Sequence, residues 1–272
     1  MMVAMDWQIA TVAPGVLVAT SDLYMTTSTV VIAPDGGCLV IDPAITVADV
    51  GALAAELRAR GLTPVAGFAT HPHWDHVLWS AELGDVPRYA SPRAAEFARA
   101  HRDHLIAGAR EEAPGHDPDL TGCLTPLPAG ETEIPWHGPR ARAVIHDGHA
   151  PGHAAVFLPE AGVLVAGDMC SDVEIPLIDL ESADLEPVGL APDDPLGDYR
   201  FGLDRLAALP ARLVVPGHGR PGDAAEFRRR VAADLQYLAD IGRGEDNGDP
   251  RLTEDWLRQE HDKQLQHTRG RT

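Results

Sequence analysis

An α/β fold is predicted for this chain, and three observations predict it. Short β-branched or apolar runs end at Gly, Pro or Asp. At least one segment repeats its apolar residues at helical spacing. A histidine-rich cluster follows directly on a buried strand. Val16 to Thr20, Thr29 to Ala33 and Cys38 to Asp42 read as strands, the last two joined by the turn Pro34-Asp35-Gly36-Gly37. Residues 47–60 read as a helix, because Val50, Leu53, Ala54 and Leu57 follow i, i+3, i+4, i+7 and Gly61 suits a C-cap. Val65 to Thr70 is then a buried strand running into the cluster, a βαβ-like unit with its chemistry at the strand's carboxyl end.

The remaining elements follow the same logic. Val86 to Ala90 is a short strand, and Ser91-Pro92 supplies an N-cap and an N1 proline for a helix to about Ala107. Residues 110–130, with seven Gly or Pro, read as an irregular loop. Ala141 to His146, Ala154 to Leu158 and Val163 to Ala166 are strands, the last two flanking the turn Pro159-Glu160-Ala161-Gly162. Residues 171–198 read as an acidic inserted loop, Leu203 to Leu209 as a helix and Arg212 to Val215 as a last buried strand. Two helices, 223–241 and 252–267, are expected in the tail.

Composition narrows the function. The chain has 272 residues, 44% of them hydrophobic, which is enough to offset ordering entropy in one substantial core. No apolar run approaches the ~20 residues of a membrane span, and residues 1–8 lack a signal-peptide pattern. Cys38, Cys123 and Cys170 are odd in number and far apart, so no disulfide framework is expected and a cytoplasmic location is. Net charge is −19, with 9 basic and 29 acidic side chains over residues 1–199 against 13 and 12 over residues 200–272. Such a chain repels polyanions, so the expected partner is a small-molecule substrate, with no nucleic acid and no membrane. The tail helices could cover a neighbouring copy or the first sheet, which leaves room for a homodimer. Of 22 basic residues only Lys263 is a lysine, which argues against Schiff-base chemistry.

The informative run is His71-Pro72-His73-Trp74-Asp75-His76, three imidazoles and a carboxylate within six residues. On a helix, positions i and i+2 face apart; on a loop leaving a strand they can converge. Neutral imidazoles and carboxylates are good zinc ligands at ~2.0–2.2 Å. Three later elements each place one ligand-type side chain beside Gly or Pro. They are Ala150-Pro151-Gly152-His153 in a turn, Gly167-Asp168 after a strand, and Pro216-Gly217-His218-Gly219 after the last strand. Glycine lets backbone approach such a crowded site.

In this order, over residues 15–222, these elements resemble the metallo-β-lactamase superfamily. The resemblance implies an α/β four-layer αββα sandwich with two metals at one edge between the sheets. It implies that His71, His73 and His153 hold one metal, that Asp75, His76 and His218 hold the other, and that Asp168 bridges them. Residues 1–241 would form the catalytic domain and residues 242–272 a helical extension packed on it. Two zinc ions are the implied cofactors, with iron as the alternative metal. The implied function is a dinuclear zinc hydrolase that cleaves an ester, thioester or lactone with a hydroxide shared by the metals. Alternatives are a mononuclear iron oxidoreductase like the persulfide dioxygenases, or a phosphodiesterase.

Departures within the superfamily sharpen this. Lactamases of this fold generally lack the aspartate at the position of Asp168, and flavodiiron proteins carry Glu where His73 stands. The tRNA-processing nucleases need an RNA surface that an acidic chain does not offer. Glyoxalase II enzymes bind glutathione through basic residues of a C-terminal helical part; Arg228, Arg229 and Arg230 do not match that site well.

Two catalytic roles are expected besides metal binding. Asp75 would orient the nucleophile and shuttle its proton. Tyr199 would either stand over the substrate carbonyl, as a tyrosine does in some lactonases of the superfamily, or pack its ring on the helix 203–209. Pocket walls should come from the Trp74 loop, from 101–127 and from 171–198. The acidic residues Asp172, Glu174, Asp179, Glu181, Asp184 and Glu186 of that last segment disfavour strongly anionic substrates. His146 and His149 are read as residues behind the ligands or in a polar loop, Cys170 as packing, and His101, His104, His261 and His267 as surface.

Overall fold

In a computed structural model, which describes residues 8–43, 45–180, 182, 185, 194–246 and 248–270, two sheets lie face to face with helices on both outer sides. The first sheet has seven strands in chain order: β1 (Gln8–Ala13), β2 (Val16–Thr20), β3 (Thr27–Ile32), β4 (Gly37–Ile41), β5 (Thr63–Phe68), β6 (Arg88–Ala90) and β7 (Thr125–Pro126). β1 to β4 form an antiparallel meander, and β4 to β7 run parallel. The second sheet has the order β12 (Gly222–Asp223), β11 (Leu213–Pro216), β10 (Val163–Gly167), β9 (Ala154–Leu158) and β8 (Arg142–Ile145). Only its β10–β11 pair is parallel.

The period-two rule of strands sorts the core. Val16 and Val18 join Leu39, Ile41 and Phe68 against Val156, Leu158, Val163, Val165 and Val215 between the sheets. Leu17, Val30 and Val40 point to the outer side, where helix α1 (Val47–Ala59) lays down Val50, Leu53, Ala54 and Leu57. Leu53 and Leu57 are fully buried, contributing about 1.5–3 kcal/mol each. The Thr46 side chain caps α1 by accepting from the Asp49 N–H at 3.1 Å. On the outer face of the second sheet, α4 (Pro195–Ala207), α5 (Ala224–Gly242) and α6 (Asp255–Arg269) pack Leu203, Phe227, Tyr237 and Leu257 onto Val144, Phe157 and Leu164. This is the expected four-layer αββα arrangement.

Several boundaries differ from expectation. β1 was not expected; its six residues carry little periodicity, and it is fixed by pairing with β2 across the Pro14-Gly15 turn, where Gly15 has φ +74°. The helix expected from 92 to 107 is two, α2 (Pro92–Ala100) and α3 (Arg102–Glu112). The break is His101, at φ −112°, whose ring is buried against Phe97 with centroids 4.4 Å apart. The loop expected over 171–198 ends early: the Asp194 carboxylate caps α4, accepting from the Gly197 N–H at 3.1 Å. Glu181, Asp184 and Glu186 lie outside the described residues.

His261, expected at the surface, is buried and meets the Tyr237 hydroxyl at 2.9 Å, joining α6 to α5. The Ile178 N–H donates to Gln264 Oε1 at 3.0 Å, which ties residues 175–180 to α6. Cys38, Cys123 and Cys170 are free, and Cys170 is buried in the outer core as expected. Among the described residues no helix is long and apolar enough to cross a membrane.

Candidate metal centre

The site begins where β4 and β5 end side by side. Asp42 follows β4 at φ +48°, a conformation that costs free energy for a non-glycine residue. The turn aims its buried carboxylate at the chain leaving β5: Oδ1 accepts from the Thr70 N–H at 2.8 Å and Oδ2 from the Thr70 hydroxyl at 2.7 Å. Residues 71–76 then double back, with the His76 N–H donating to the His73 carbonyl at 3.1 Å. The loop is thus pinned at its root and compact enough to aim four side chains one way.

The ring nitrogens facing away from the centre set what faces into it. The Thr70 hydroxyl spends its only proton on Asp42, so at 3.0 Å it accepts from His71 Nδ1–H. The Leu177 carbonyl can only accept, so His149 Nδ1–H donates to it at 2.9 Å. The Tyr24 carbonyl likewise accepts from His218 Nδ1–H at 3.0 Å. His76 Nδ1 stands 3.1 Å from Asp42 Oδ2, an ion-pair contact rather than an aligned hydrogen bond. His71, His149 and His218, when neutral, therefore each present an Nε2 lone pair to the interior.

Two groups of ligand atoms converge, each within 4.8 Å: His71, His73, His149 and Asp168 in one, Asp75, His76 and His218 in the other. Asp168 faces both. Its Oδ2 lies 3.3 Å from the Nε2 of His71, His149 and His218, and its Oδ1 lies 3.2 Å from His76 Nε2. Asp75 Oδ2 is 3.2 Å from His218 Nε2 and 3.4 Å from His76 Nε2. The Nε2 atoms of His76 and His218 are only 3.3 Å apart. Buried His71 Nε2 and Asp168 Oδ1 have no hydrogen-bond partner among the described residues. Lone pairs crowded this closely in a buried site repel unless cations lie between them, and imidazole with carboxylate is a donor set suited to zinc. The residues present fit a pair of divalent metal ions.

The electrostatics agree. Burial drives His71 well below the usual histidine range, and it takes His73 down to about 3. Burial acts the same way on His76 and His218, but Asp168 with Asp75 and Asp42 at the first, and Asp168 with Glu174 at the second, hold both well above that range. Burial would raise Asp75 and Asp168, yet the surrounding imidazoles keep both carboxyls well below theirs. Positive charge is favoured at this point of the site, and metal ligation there requires unprotonated ring nitrogens.

One expected ligand is corrected. His153 is not among the converging atoms, and His149 is. His149 adopts φ +77° in the turn before β9, which swings its ring inward until Nε2 is 3.1 Å from His73 Nδ1. His153 sits at the root of β9, its main chain paired with Ala150 and His146. Its ring is stacked between His71, centroids 5.1 Å apart, and His146, centroids 4.7 Å apart. It packs behind a ligand. The sequence signal was two histidines four apart around Pro-Gly, with nothing in the residue types to choose between them.

The ends of β10 and β11 deliver Asp168 and His218. Gly217 is needed there: a Cβ on it would lie 1.9 Å from Asp168 Oδ1. Thr26 pairs with His218 as an isolated bridge, and the Thr27 N–H donates to the Gly217 carbonyl at 2.7 Å, so the two sheets are stitched together beside the site. Asp42, Thr70 and Tyr24 were not singled out from sequence; their roles depend on contacts between distant segments.

Tyr199 is placed differently from expectation. It is 1% exposed within α4, it does not line the cavity over the cluster, and its hydroxyl donates to the Asp168 main-chain oxygen at 3.3 Å. It acts on the loop that carries Asp168. The cavity, about 490 Å³, does take walls from Trp74, from His104, Leu105 and Glu112, and from Glu174 to Leu180. α6 adds Trp256, Glu260 and Lys263, a wall the sequence reading did not foresee. Asp172 faces elsewhere, accepting from the Arg220 N–H at 2.7 Å. Burial, helped by Asp168 and Asp75 and opposed by His218, pushes Glu174 up to about 7.

Comparison with known proteins bears on this geometry. Residues 23–218 match the family model described as the metallo-beta-lactamase superfamily. The probable metallo-hydrolase YflN of Bacillus subtilis (strain 168) is 27% identical over 210 residues, covering 70% of this chain and 76% of that protein. A hydroxyacylglutathione hydrolase of Synechococcus sp. (strain JA-3-3Ab) is 35% identical over 130 residues, 47% of this chain and 42% of that enzyme. A crystal structure of a metallo-beta-lactamase family protein from Thermus thermophilus superposes with a TM-score of 0.61 at 24% identity, covering 86% of this chain and 83% of that one; at that identity it bears on the fold alone.

Proposed function

The chain belongs to the metallo-β-lactamase superfamily and is a metal-dependent hydrolase, and on that premise we propose that it holds two zinc ions and cleaves an ester, thioester or lactone. His71, His73 and His149 would hold one ion, Asp75, His76 and His218 the other, and Asp168 both. The observation that carries this reading is the Asp168 carboxylate, within 3.3 Å of ring nitrogens from both ligand groups. Bound there, the zinc pair would supply Lewis acidity at a carbonyl oxygen and acidify water to a pKa of about 7.

The chain's own groups do the rest. Asp75 lines the cavity and is held ionised, so it can orient the attacking water by accepting its hydrogen bond. His71, His149 and His218 are fixed in one tautomer by Thr70, Leu177 and Tyr24, so their inward nitrogens need no reorganisation during turnover. Trp74, Phe97, Leu105 and Leu177 form an apolar wall that keeps bulk water from the acyl group.

The partial likeness to a hydroxyacylglutathione hydrolase supports carbonyl over phosphoryl chemistry. Glutathione itself, with two carboxylates, fits poorly. Among the described residues lining the cavity, the only lysine or arginine is Lys263, whose Nζ is 2.6 Å from Glu260. Metal quantification on purified protein followed by a lactone, thioester and phosphodiester panel tests the proposal. About two zinc per chain with turnover of carbonyl substrates is expected. One iron with oxygen uptake, or turnover of phosphodiesters alone, would overturn it.

A further inference from the structure

The cavity's lining holds a second set of side chains that the hydrolytic machinery does not use. Tyr24 and Trp256 are each 36% exposed, and their rings meet edge to face with centroids 6.0 Å apart at 67°. Large aromatic surfaces are costly to leave facing water, and here two stand together at one cavity. Tyr24 adopts φ +55° and Met25 φ +49°, so the turn between β2 and β3 holds an unfavourable backbone where it presents the phenol.

Three carboxylates line the same cavity with no lysine or arginine partner among the described residues. Glu112 Oε2 accepts only the Tyr24 hydroxyl, at 2.8 Å. Asp179 is 8% exposed; its Oδ1 accepts from the Ser182 N–H, while its Oδ2 has no partner. Glu174 is 7% exposed, and its nearest cationic group is His218 Nδ1 at 3.9 Å. A buried carboxylate left without a partner costs several kcal/mol unless a ligand supplies the counter-charge. No third group of three or more ligand atoms converges within 4.8 Å among the described residues, so this arrangement does not suit another metal ion. Aromatic faces set among spaced carboxylates suit an organic cation. The net charge of −19 favours the approach of one.

We propose that the substrate carries a cationic nitrogen, protonated or quaternary, held by the Tyr24 and Trp256 rings with Glu112 and Asp179, while its scissile carbonyl lies over the ligand cluster. This rests on the carbonyl-hydrolase reading above and names the class of substrate.

The test uses zinc-loaded protein and three acyl thioesters of matched size, whose thiol portions end in a trimethylammonium, a tert-butyl or a sulfonate group. Binding of tetramethylammonium alone is followed in parallel by tryptophan fluorescence. The cationic thioester should exceed its neutral isostere in kcat/KM by about 3- to 30-fold, the range of a cation over aromatic faces. The sulfonate should be the slowest. Trp256→Leu and Glu112→Gln, both at exposed positions, should bring the cationic-to-neutral ratio toward one and weaken tetramethylammonium binding. Equal turnover of all three, or a preference that survives both substitutions, would overturn the cation proposal and leave the hydrolase reading standing. Tetramethylammonium binding that depends on Trp256, without hydrolysis of any thioester, would support the cation site and count against the hydrolase reading.

Discussion

The two halves of the centre are built by different means. Four of its side chains come from residues 71–76, one loop braced at its root by Asp42 and Thr70. The other three, His149, Asp168 and His218, come from three separate strand ends of the second sheet, spaced over about 70 residues of chain. The first half is a local motif with one brace. The second half depends on sheet register, on glycine at the closest approach, and on a non-glycine residue at positive φ. A contiguous ligand set can be recognised from spacing; a dispersed one is defined only by the fold that gathers it.

The hardest test of this contrast is Asp168→Ala, which removes the carboxylate that lies against ring nitrogens of both ligand groups. Outer-shell partners of metal ligands are worth about 10- to 100-fold in affinity or activity, so a bridging ligand should exceed that, with activity down by more than about 100-fold and metal content reduced. Elemental analysis and steady-state kinetics on the same sample decide it; two metals with full turnover would remove Asp168 from the bridge. Next in size is the pair His149→Ala and His153→Ala. The first should lower zinc to about one per chain and reduce turnover by a similar factor. The second removes a ring stacked behind His71 and should keep two zinc while lowering the melting temperature. The reverse pattern would restore His153 as the ligand.

Asp42→Asn probes the brace of the first half. It should weaken metal binding by about 10- to 100-fold in a competition titration with a chelator, leaving the unloaded fold in place. The smallest effect is expected from Ser91→Ala. The Ser91 hydroxyl accepts from the Ala94 N–H to cap α2 and donates to the Gly152 carbonyl in the turn that carries His149. Its loss should cost about 1–2 kcal/mol in urea unfolding, with metal stoichiometry unchanged. A loss of zinc in that variant would show the second half to be as loosely held as its scattered origin suggests.

Much of the scaffold was legible because its signals are local. The i, i+3, i+4, i+7 pattern of α1 and the Ser91-Pro92 start of α2 both stand in the structure. So does the parallel strand that delivers residues 71–76. What failed was non-local. β1 exists through its pairing with β2, and the break at His101 comes from a ring buried on Phe97. The choice between His149 and His153 rests on the turn before β9, where His149 takes φ +77° and Gly152 φ +71°. α4 was partly missed for a different reason: the signal Asp194-Pro195 was present, but acidic residues and prolines before it masked the change from loop to helix.

The stitch between Thr26 and His218 has a consequence for the order in which the protein is made. His76 and His218 meet at 3.3 Å although 142 residues of chain separate them. At a synthesis rate of about 5–20 residues per second, the loop of residues 71–76 emerges from the ribosome about 7 to 28 s before its last partner. Through that interval the nascent chain offers an incomplete ligand set, and the second ion proposed above would wait for β11 to dock.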